Sequence, residues 1–234
     1  MTKGFLLVAT IHKKYLTAAQ FLADSLKEYT NHSVTLFTED DWVNDSGNSI
    51  FDNVYGGAPH SSRAKLWALN KTPYDITCYL DEDIVCQSTN AENVFDLLED
   101  NDIVFGKIET KCAAKVWWKN EMDVPHGGMF VWKNSEKMKF FMNEWWKNWL
   151  THQENNWRWV NKYIENNATF WDQFPLQIML LDKEDCWYRS DIKWSWIKDH
   201  YIWNWVYTYD GLKDLNEKYK KNDIIFYHYP HVKV

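Results

Sequence analysis

No stretch of this 234-residue chain approaches the roughly 20 apolar residues that a membrane-spanning helix needs, so no integral membrane segment is expected. The opening apolar run Phe5-Leu6-Leu7-Val8-Ala9 is too short for a signal h-region with a cleavage site, and it reads as a first core strand. A dense Lys/Arg cluster is missing too. With a formal net charge of -7, that argues against nucleic acid as a partner bound through a basic face. The four cysteines, Cys78, Cys86, Cys112 and Cys186, lack any C-x-x-C spacing, so buried reduced thiols in a cytoplasmic chain are the expectation. There is no internal repeat, low-complexity tract or linker. The length suits one α/β domain over 1–234 with a full core.

What is present is globular in balance, with 45% hydrophobic and 25% charged residues. The unusual component is 16 tryptophans, concentrated from Trp117 onward in pairs such as Trp117-Trp118 and Trp145-Trp146. Indole rings fill cores and subunit contacts, which leaves room for a homo-oligomer, and they also stack on sugar faces. Several lie at helical spacing, which favours packing, and no single one is assigned to a sugar.

Phe5 to Thr10 reads as a buried strand, Thr17 to Tyr29 as a helix striped by Ala18, Phe21, Leu22, Ser25 and Leu26, and Val34 to Thr38 as the next strand. Such a β-α-β opening favours a parallel sheet with right-handed crossovers. A weak strand is expected near Ile50 to Tyr55, a helix over Ser61 to Leu69 closed by Thr72-Pro73, and a strand over Ile76 to Leu80. Further on come a short helix over Ala91 to Leu98, strands over Ile103 to Phe105 and Val124 to Trp132, and helices over Ser135 to Leu150 and Asn167 to Leu181. A last strand over Ile224 to Tyr227 ends at His228.

The chemistry concentrates after Leu80. A strand stopping at Asp81-Glu82-Asp83 presents Asp81 and Asp83 at the carboxyl edge of a sheet, where open α/β sheets place their ligands. Mg²⁺ or Mn²⁺ prefers carboxylate and water oxygens and binds through one or two carboxylates plus substrate phosphates, so the pair is a metal seat for a phosphorylated donor. Equally, acidic triplets occur as solvated turns. Lys65 precedes this strand, and Asp172-Gln173 stands at a helix entrance where an acid also favours the macrodipole. Gly127-Gly128 permits close backbone approach by a ligand. His228 reads either as a structural histidine or as an imidazole completing an Asp-Asp-His set.

Taken in this order, these features resemble the retaining nucleotide-sugar glycosyltransferases of the glycogenin and galactosyltransferase type, family eight, over nearly the whole chain. Val8-Ala9-Thr10 and Tyr15 are similar to that family's nucleotide-holding first strand, with one extra residue between. Lys65 in Ala64-Lys65-Leu66-Trp67 resembles its lysine before the acid motif. His126-Gly127-Gly128 looks like its Asn-Ser-Gly with the Asn replaced, and Trp171-Asp172-Gln173 is similar to its Gly-Asp-Gln. Its final His-x-x-Gly-x-x-Lys resembles His228-Tyr229-Pro230-His231-Val232-Lys233, which is one residue shorter and lacks the Gly.

The resemblance implies a GT-A fold: a single Rossmann-like domain whose mostly parallel central sheet is flanked by helices, with a donor part over roughly 1–110 and an acceptor side over roughly 111–234. It implies a metal-dependent hexosyltransferase that moves a sugar from a UDP-sugar to the hydroxyl of a glycan, protein or small-molecule acceptor with retention. Asp81, Asp83 and His228 would hold Mn²⁺ or Mg²⁺. Val8, Ala9, Thr10, Tyr15, Arg63, Lys65, Glu82, His126, Gly127, Gly128 and Lys233 would line the donor, while Asp172, Gln173 and Lys65 would act in transfer. Two other readings stay open: a decayed carbohydrate-binding protein on the same fold, and a metal-dependent nucleotidyltransferase.

Overall fold

The computed structural model describes residues 1–46, 50–108, 123–154, 172–181 and 192–229. Lys3–Ala9 forms β1, with six of its seven residues buried because helices cover both faces of the sheet. The chain then turns through Ile11, whose backbone is left-handed at φ 74°, into the helix Lys13–Tyr29. Leu16, Ala19, Leu22, Ala23 and Leu26 face the sheet at helical spacing. This helix starts four residues before the expected Thr17, because a polar Lys13-Lys14 first turn carries no apolar stripe from which to read it. Ser33–Thr38 (β2) and Asn53–Tyr55 (β3) pair in parallel, the latter being the short core of the weak strand expected over Ile50 to Tyr55.

Ile76–Leu80 (β4) is buried at all five positions and pairs in parallel with β1. Ile103–Ile108 (β6), Val124–Lys133 (β7) and Trp194–Trp196 (β8) complete a seven-stranded sheet of order β3-β2-β1-β4-β7-β6-β8. β7 is antiparallel to both of its neighbours, while the other ladders are parallel. This reversal matters for the site: it brings the first residues of β7 to the edge where β4 ends, with Leu80 opposite Met129.

Apolar side chains close the sheet on two faces. Leu66, Phe130, Trp132, Phe141, Trp145 and Leu176 belong to one core, and Leu22, Leu26, Phe95, Met129 and Val131 to the other. The helix Glu136–Glu154 covers the first face. The expected helix over Ser61 to Leu69 is shorter, Ala64–Ala68 followed by a 3-10 turn Leu69–Lys71, and the short helix expected over Ala91 to Leu98 is a 3-10 helix, Thr89–Leu98. Ser88 caps that segment, its Oγ accepting from Asn90 N–H at 3.2 Å.

The last strand ends at His228 as expected but starts two residues later. Phe226–His228 (β10) does not join the main sheet but lies between Ile84–Cys86 (β5) and Trp205–Val206 (β9) in a separate three-stranded sheet. Tyr201, Trp205, Tyr209, Tyr219 and Tyr227 pack beside it as a third, aromatic core. The described tryptophans therefore pack: Trp132, Trp145 and Trp205 are fully buried, and Trp67, Trp146, Trp194, Trp196 and Trp203 lie against the cores. Trp117 and Trp118 lie outside the described residues. Cys78 and Cys86 are free and buried, and burial pushes the Cys86 thiol up to about 11 and that of Cys78 well above its usual range. Among the described residues no helix is long and apolar enough to cross a membrane.

Candidate active site

At the end of β4 the chain makes a tight turn. Asp81 N–H donates to Gly128 O at 2.8 Å, and Ile84 N–H donates back to Asp81 O at 3.2 Å, so Asp81 and Asp83 are fixed by the β4–β7 ladder and by β5. β5 pairs with β10 in a register that sets His228 opposite Ile84. His228 Nε2 consequently lies 2.9 Å from Asp83 Oδ1. One ligand atom each from Asp81, Asp83 and His228 falls within 4.8 Å of the others. The imidazole therefore meets the acids although the strand that carries it lies outside the main sheet.

Gly128 shapes this cluster. A Cβ there would stand 2.7 Å from Asp81 Oδ2, from His126 Cε1 and from His228 Cε1, so only glycine leaves the cradle between the three side chains open. His228 Nδ1 is buried with no hydrogen-bond partner. Two carboxylates and an imidazole around an open cradle suit a divalent cation of the Mn²⁺ or Mg²⁺ kind. The paired glycines thus make room for protein groups: a Cβ on Gly127 would strike Asp172 Oδ2 at 2.3 Å. Gly128→Ala is expected to abolish metal binding with little change in overall fold, and a Mn²⁺ titration by calorimetry checks it.

Below the acids lies a buried ion-pair network. Lys65 Nζ contacts Asp81 Oδ1 at 3.0 Å and Asp172 Oδ2 at 3.0 Å, and it donates to Gly127 O at 2.9 Å. Arg63 Nε sits 3.1 Å from Asp172 Oδ1. Burial alone would push the Lys65 ammonium down, but Asp172 and then Asp81 outweigh it and hold its pKa above the usual lysine value. Lys65, expected to line the donor and to act in transfer, has protein carboxylates as its partners. Asp172, expected to act in transfer, is 2% exposed, with both oxygens at cations. Trp145 Nε1–H donates to Asp172 O at 2.8 Å, tying the helix Glu136–Glu154 to this corner.

Tyr79 O–H donates to Asp81 Oδ1 at 2.7 Å. Glu82 is not one of the converging three. Its partial burial, and then the charges of Asp81 and Asp83, push its carboxyl up to about 8. Burial, followed by His228 and the Lys65 ammonium, holds His126 well below the ordinary imidazole range, so it is neutral. Its Nδ1 accepts from Gly128 N–H at 3.0 Å, and its ring centroid lies 5.1 Å from that of His228.

Val8, Ala9 and Thr10, expected to line a nucleotide, stand at the end of β1, and Tyr15 is in the helix that follows. Val8 and Ala9 are buried in the cores, so any contact they offer a ligand comes from the main chain. Thr10 Oγ1–H donates to Ser61 O at 2.9 Å, and Tyr15 is on the helix leaving β1, its ring 5.9 Å from His12. Lys233 and Trp171 lie outside the described residues.

Three groups were not singled out in the sequence. Glu39, at the end of β2, accepts from Ile11 N–H at 2.6 Å and meets His60 Nδ1 at 3.0 Å. Gln177 is 2% exposed with neither amide atom partnered, and Asn204 is 3% exposed with Oδ1 unpartnered. Gln177 follows Gln173 by one helical turn in the otherwise apolar helix Gln173–Leu181, and that i,i+4 polar pair was the available signal. Gln173 Oε1 is likewise buried without a partner, and its side-chain carbonyl carbon is 3.5 Å from where a Cβ on Gly127 would stand.

No protein-family model matches this chain, and no curated protein matches it significantly in sequence. Its solved structural neighbours are glycosyltransferases. GlyE of Streptococcus pneumoniae superposes with a TM-score of 0.62 at 14% identity, covering 99% of this chain and 56% of GlyE. The bifunctional glycosyltransferase WbbM gives 0.63 at 12% identity over 98% of this chain and 46% of its own. The galactosyltransferase LgtC, solved with donor and acceptor sugar analogs, gives 0.56 at 13% identity over 98% of this chain and 87% of its own. This chain thus spans about half the length of the first two proteins. The likeness establishes the architecture: a mostly parallel seven-stranded sheet flanked by helices, the GT-A fold of these glycosyltransferases.

Proposed function

We propose that this chain is a metal-dependent glycosyltransferase that moves a sugar from a UDP-linked donor to an acceptor hydroxyl with retention. The observation that carries the reading is the convergence of Asp81, Asp83 and His228 at the carboxyl edge of a GT-A sheet. Those three side chains would hold Mn²⁺ or Mg²⁺, and the cation would serve as a Lewis acid for the departing diphosphate. The unit is a single domain over 1–234, with a donor part over roughly 1–110 and an acceptor side over roughly 111–234.

The protein's own groups orient the reaction. Lys65 and Arg63 supply fixed positive charge behind the acids, and because Asp172 and Asp81 hold them, no side-chain reorganisation is needed as charge develops on the leaving group. Asp172 in this scheme positions the two cations, and Gln173, with its buried unpartnered oxygen, is the group of that pair that meets the sugar. The main chain of Val8, Ala9 and Thr10 would line the nucleotide, and Tyr15 would flank it. The acceptor is a glycan, a protein or a small molecule bearing a hydroxyl.

A thermal-shift panel with Mn²⁺ tests this reading, since a ligand selective for the folded state raises stability by mass action. UDP and UDP-sugars are expected to raise the midpoint more than free nucleoside triphosphates do. A preference for triphosphates would move the assignment to nucleotidyl transfer, and glycan binding without any nucleotide response would mark a decayed transferase.

A further inference from the structure

Between β1 and the helix Lys13–Tyr29 the chain passes through Ile11 at φ 74°. His12 N–H donates to Thr10 O at 2.9 Å, so Thr10-Ile11-His12 is a γ-turn of the positive-φ kind, the rare and strained form. A β-branched residue is a steric outlier at positive φ, where glycine sits freely. Among the described residues the other non-glycine residues of that sign are Glu99 and Asp199, and both flank helical segments as caps. Ile11 instead stands at the carboxyl edge of the parallel strands β1, β2 and β4, the edge where Asp81 lies.

Such strain persists only where neighbouring groups hold it. Here the holder is Glu39, the residue after β2. Its Oε1 accepts from Ile11 N–H at 2.6 Å, and its two carboxylate oxygens meet His60 Nδ1 at 3.0 and 3.1 Å. The Thr10–Ile11 peptide is thereby pinned at both ends, its carbonyl by His12 and its N–H by Glu39. The loop that carries His60 is tied to the same corner by Ala58 N–H, which donates to Thr38 O at 3.0 Å, and by Thr10 Oγ1–H, which donates to Ser61 O at 2.9 Å. Arg63 N–H then donates to Ser61 Oγ at 3.2 Å, just before the helix that brings Lys65 to Asp81. One carboxylate thus joins the loop leaving β1 to the segment that enters the candidate active site.

We infer that Glu39 is a positioning residue for the donor: its carboxylate locks the Thr10–Ile11 peptide, and the locked turn sets the main chain of Ala9 and Thr10 against the nucleotide. The inference rests on the transferase reading, in which that main chain lines the nucleotide, and Glu39 acts through the turn without touching the ligand. The Thr10 hydroxyl proton is already engaged by Ser61 O, so the backbone is what this corner offers as donor and acceptor. Without Glu39, a flip of the peptide would relieve Ile11 by carrying its φ to the ordinary negative range. The same flip would exchange an N–H for a carbonyl on the nucleotide side.

Calorimetry with UDP and Mn²⁺ tests the lock. Glu39→Ala is expected to weaken UDP binding about tenfold, the scale on which one strained residue shifts an equilibrium. The fold should be kept, because the Glu39 side chain is partly exposed at a strand end. Glu39→Gln retains an acceptor oxygen for the Ile11 amide and should bind UDP within about threefold of the unaltered protein. Adding Ile11→Gly to Glu39→Ala should restore binding to about that same range, since glycine holds positive φ without steric cost. An unchanged affinity in Glu39→Ala, a Gln variant as weak as the Ala variant, or a double variant no better than Glu39→Ala each overturns the lock; the second of these would make Glu39 a charge that meets the ligand itself. If Glu39→Ala does not fold, the double variant carries the test alone, and its failure to fold or to bind UDP in that range overturns the lock. Absence of UDP binding by the unaltered protein overturns the transferase reading itself, and the lock falls with it.

Discussion

Asp83→Ala is expected to lower metal-dependent donor turnover by at least about a thousandfold, because a cation neutralising the leaving group is worth several kcal/mol and loses a direct ligand. The fold should survive, since Asp83 is only partly buried and the backbone bond from Tyr229 N–H to Asp83 O at 2.9 Å does not need the side chain. Asp81→Ala should be equally inactive but less stable. It leaves Tyr79 O–H without its acceptor and takes one of two carboxylates from Lys65. Isothermal calorimetry with UDP and Mn²⁺, alongside a thermal melt, separates the two variants. Undiminished Mn²⁺-dependent UDP binding in Asp83→Ala would remove the acid pair from the metal site.

Lys65→Met should be among the most destabilising single changes in the molecule. It strands the Asp172 carboxylate, 2% exposed, with Arg63 as its remaining close cation, and breaking a buried pair by removing one partner costs about 3–5 kcal/mol. For a chain of this size that is a fall of roughly 10 °C in midpoint. Adding Asp172→Asn should recover part of the loss, because the uncompensated charge is then gone, and the double-mutant cycle measures the coupling. The sign with pH follows from the raised Lys65 pKa. Its contribution is fully present below the unfolded lysine value and is lost only as pH rises through the higher folded one, so melts between pH 6 and 9 should show no Lys65-dependent slope.

The periodic signals that revealed the fold were those of buried strands and one amphipathic helix. β1, β2 and β4 stood out because a two-faced buried strand is a continuous apolar run bounded by polar residues, and Ala18, Leu22 and Leu26 marked their helix, although Phe21 of the same expected stripe is exposed. β5, β8 and β9 did not, being two or three residues long and formed by pairing rather than by composition. The antiparallel placement of β7 is also silent in the sequence, since a buried run reads the same in either direction. At the site, the Asp-x-Asp spacing was legible because its chemistry is local. The partnership of Lys65 with Asp172 was not: it joins the helix Ala64–Ala68 to the residue just before the helix Gln173–Leu181, and only packing reveals that both are buried. Asn204 was invisible for a related reason, as an asparagine without a partner looks like any surface amide until its burial is known.

The placement of His228 has a consequence for how the molecule matures. Two of the candidate ligands lie at positions 81 and 83 and the third at position 228, brought together by the pairing of β5 with β10. Contacts so distant in sequence form late, after the entropy of closing a long loop has been overcome. A nascent polypeptide that has emerged only through the first parallel strands would carry the acids but not the imidazole, so under the proposed function chelation becomes possible only once residue 228 has emerged. Cation capture would then act as a seal on completed folding, strengthening a small, short-stranded annex that has few backbone ladders of its own.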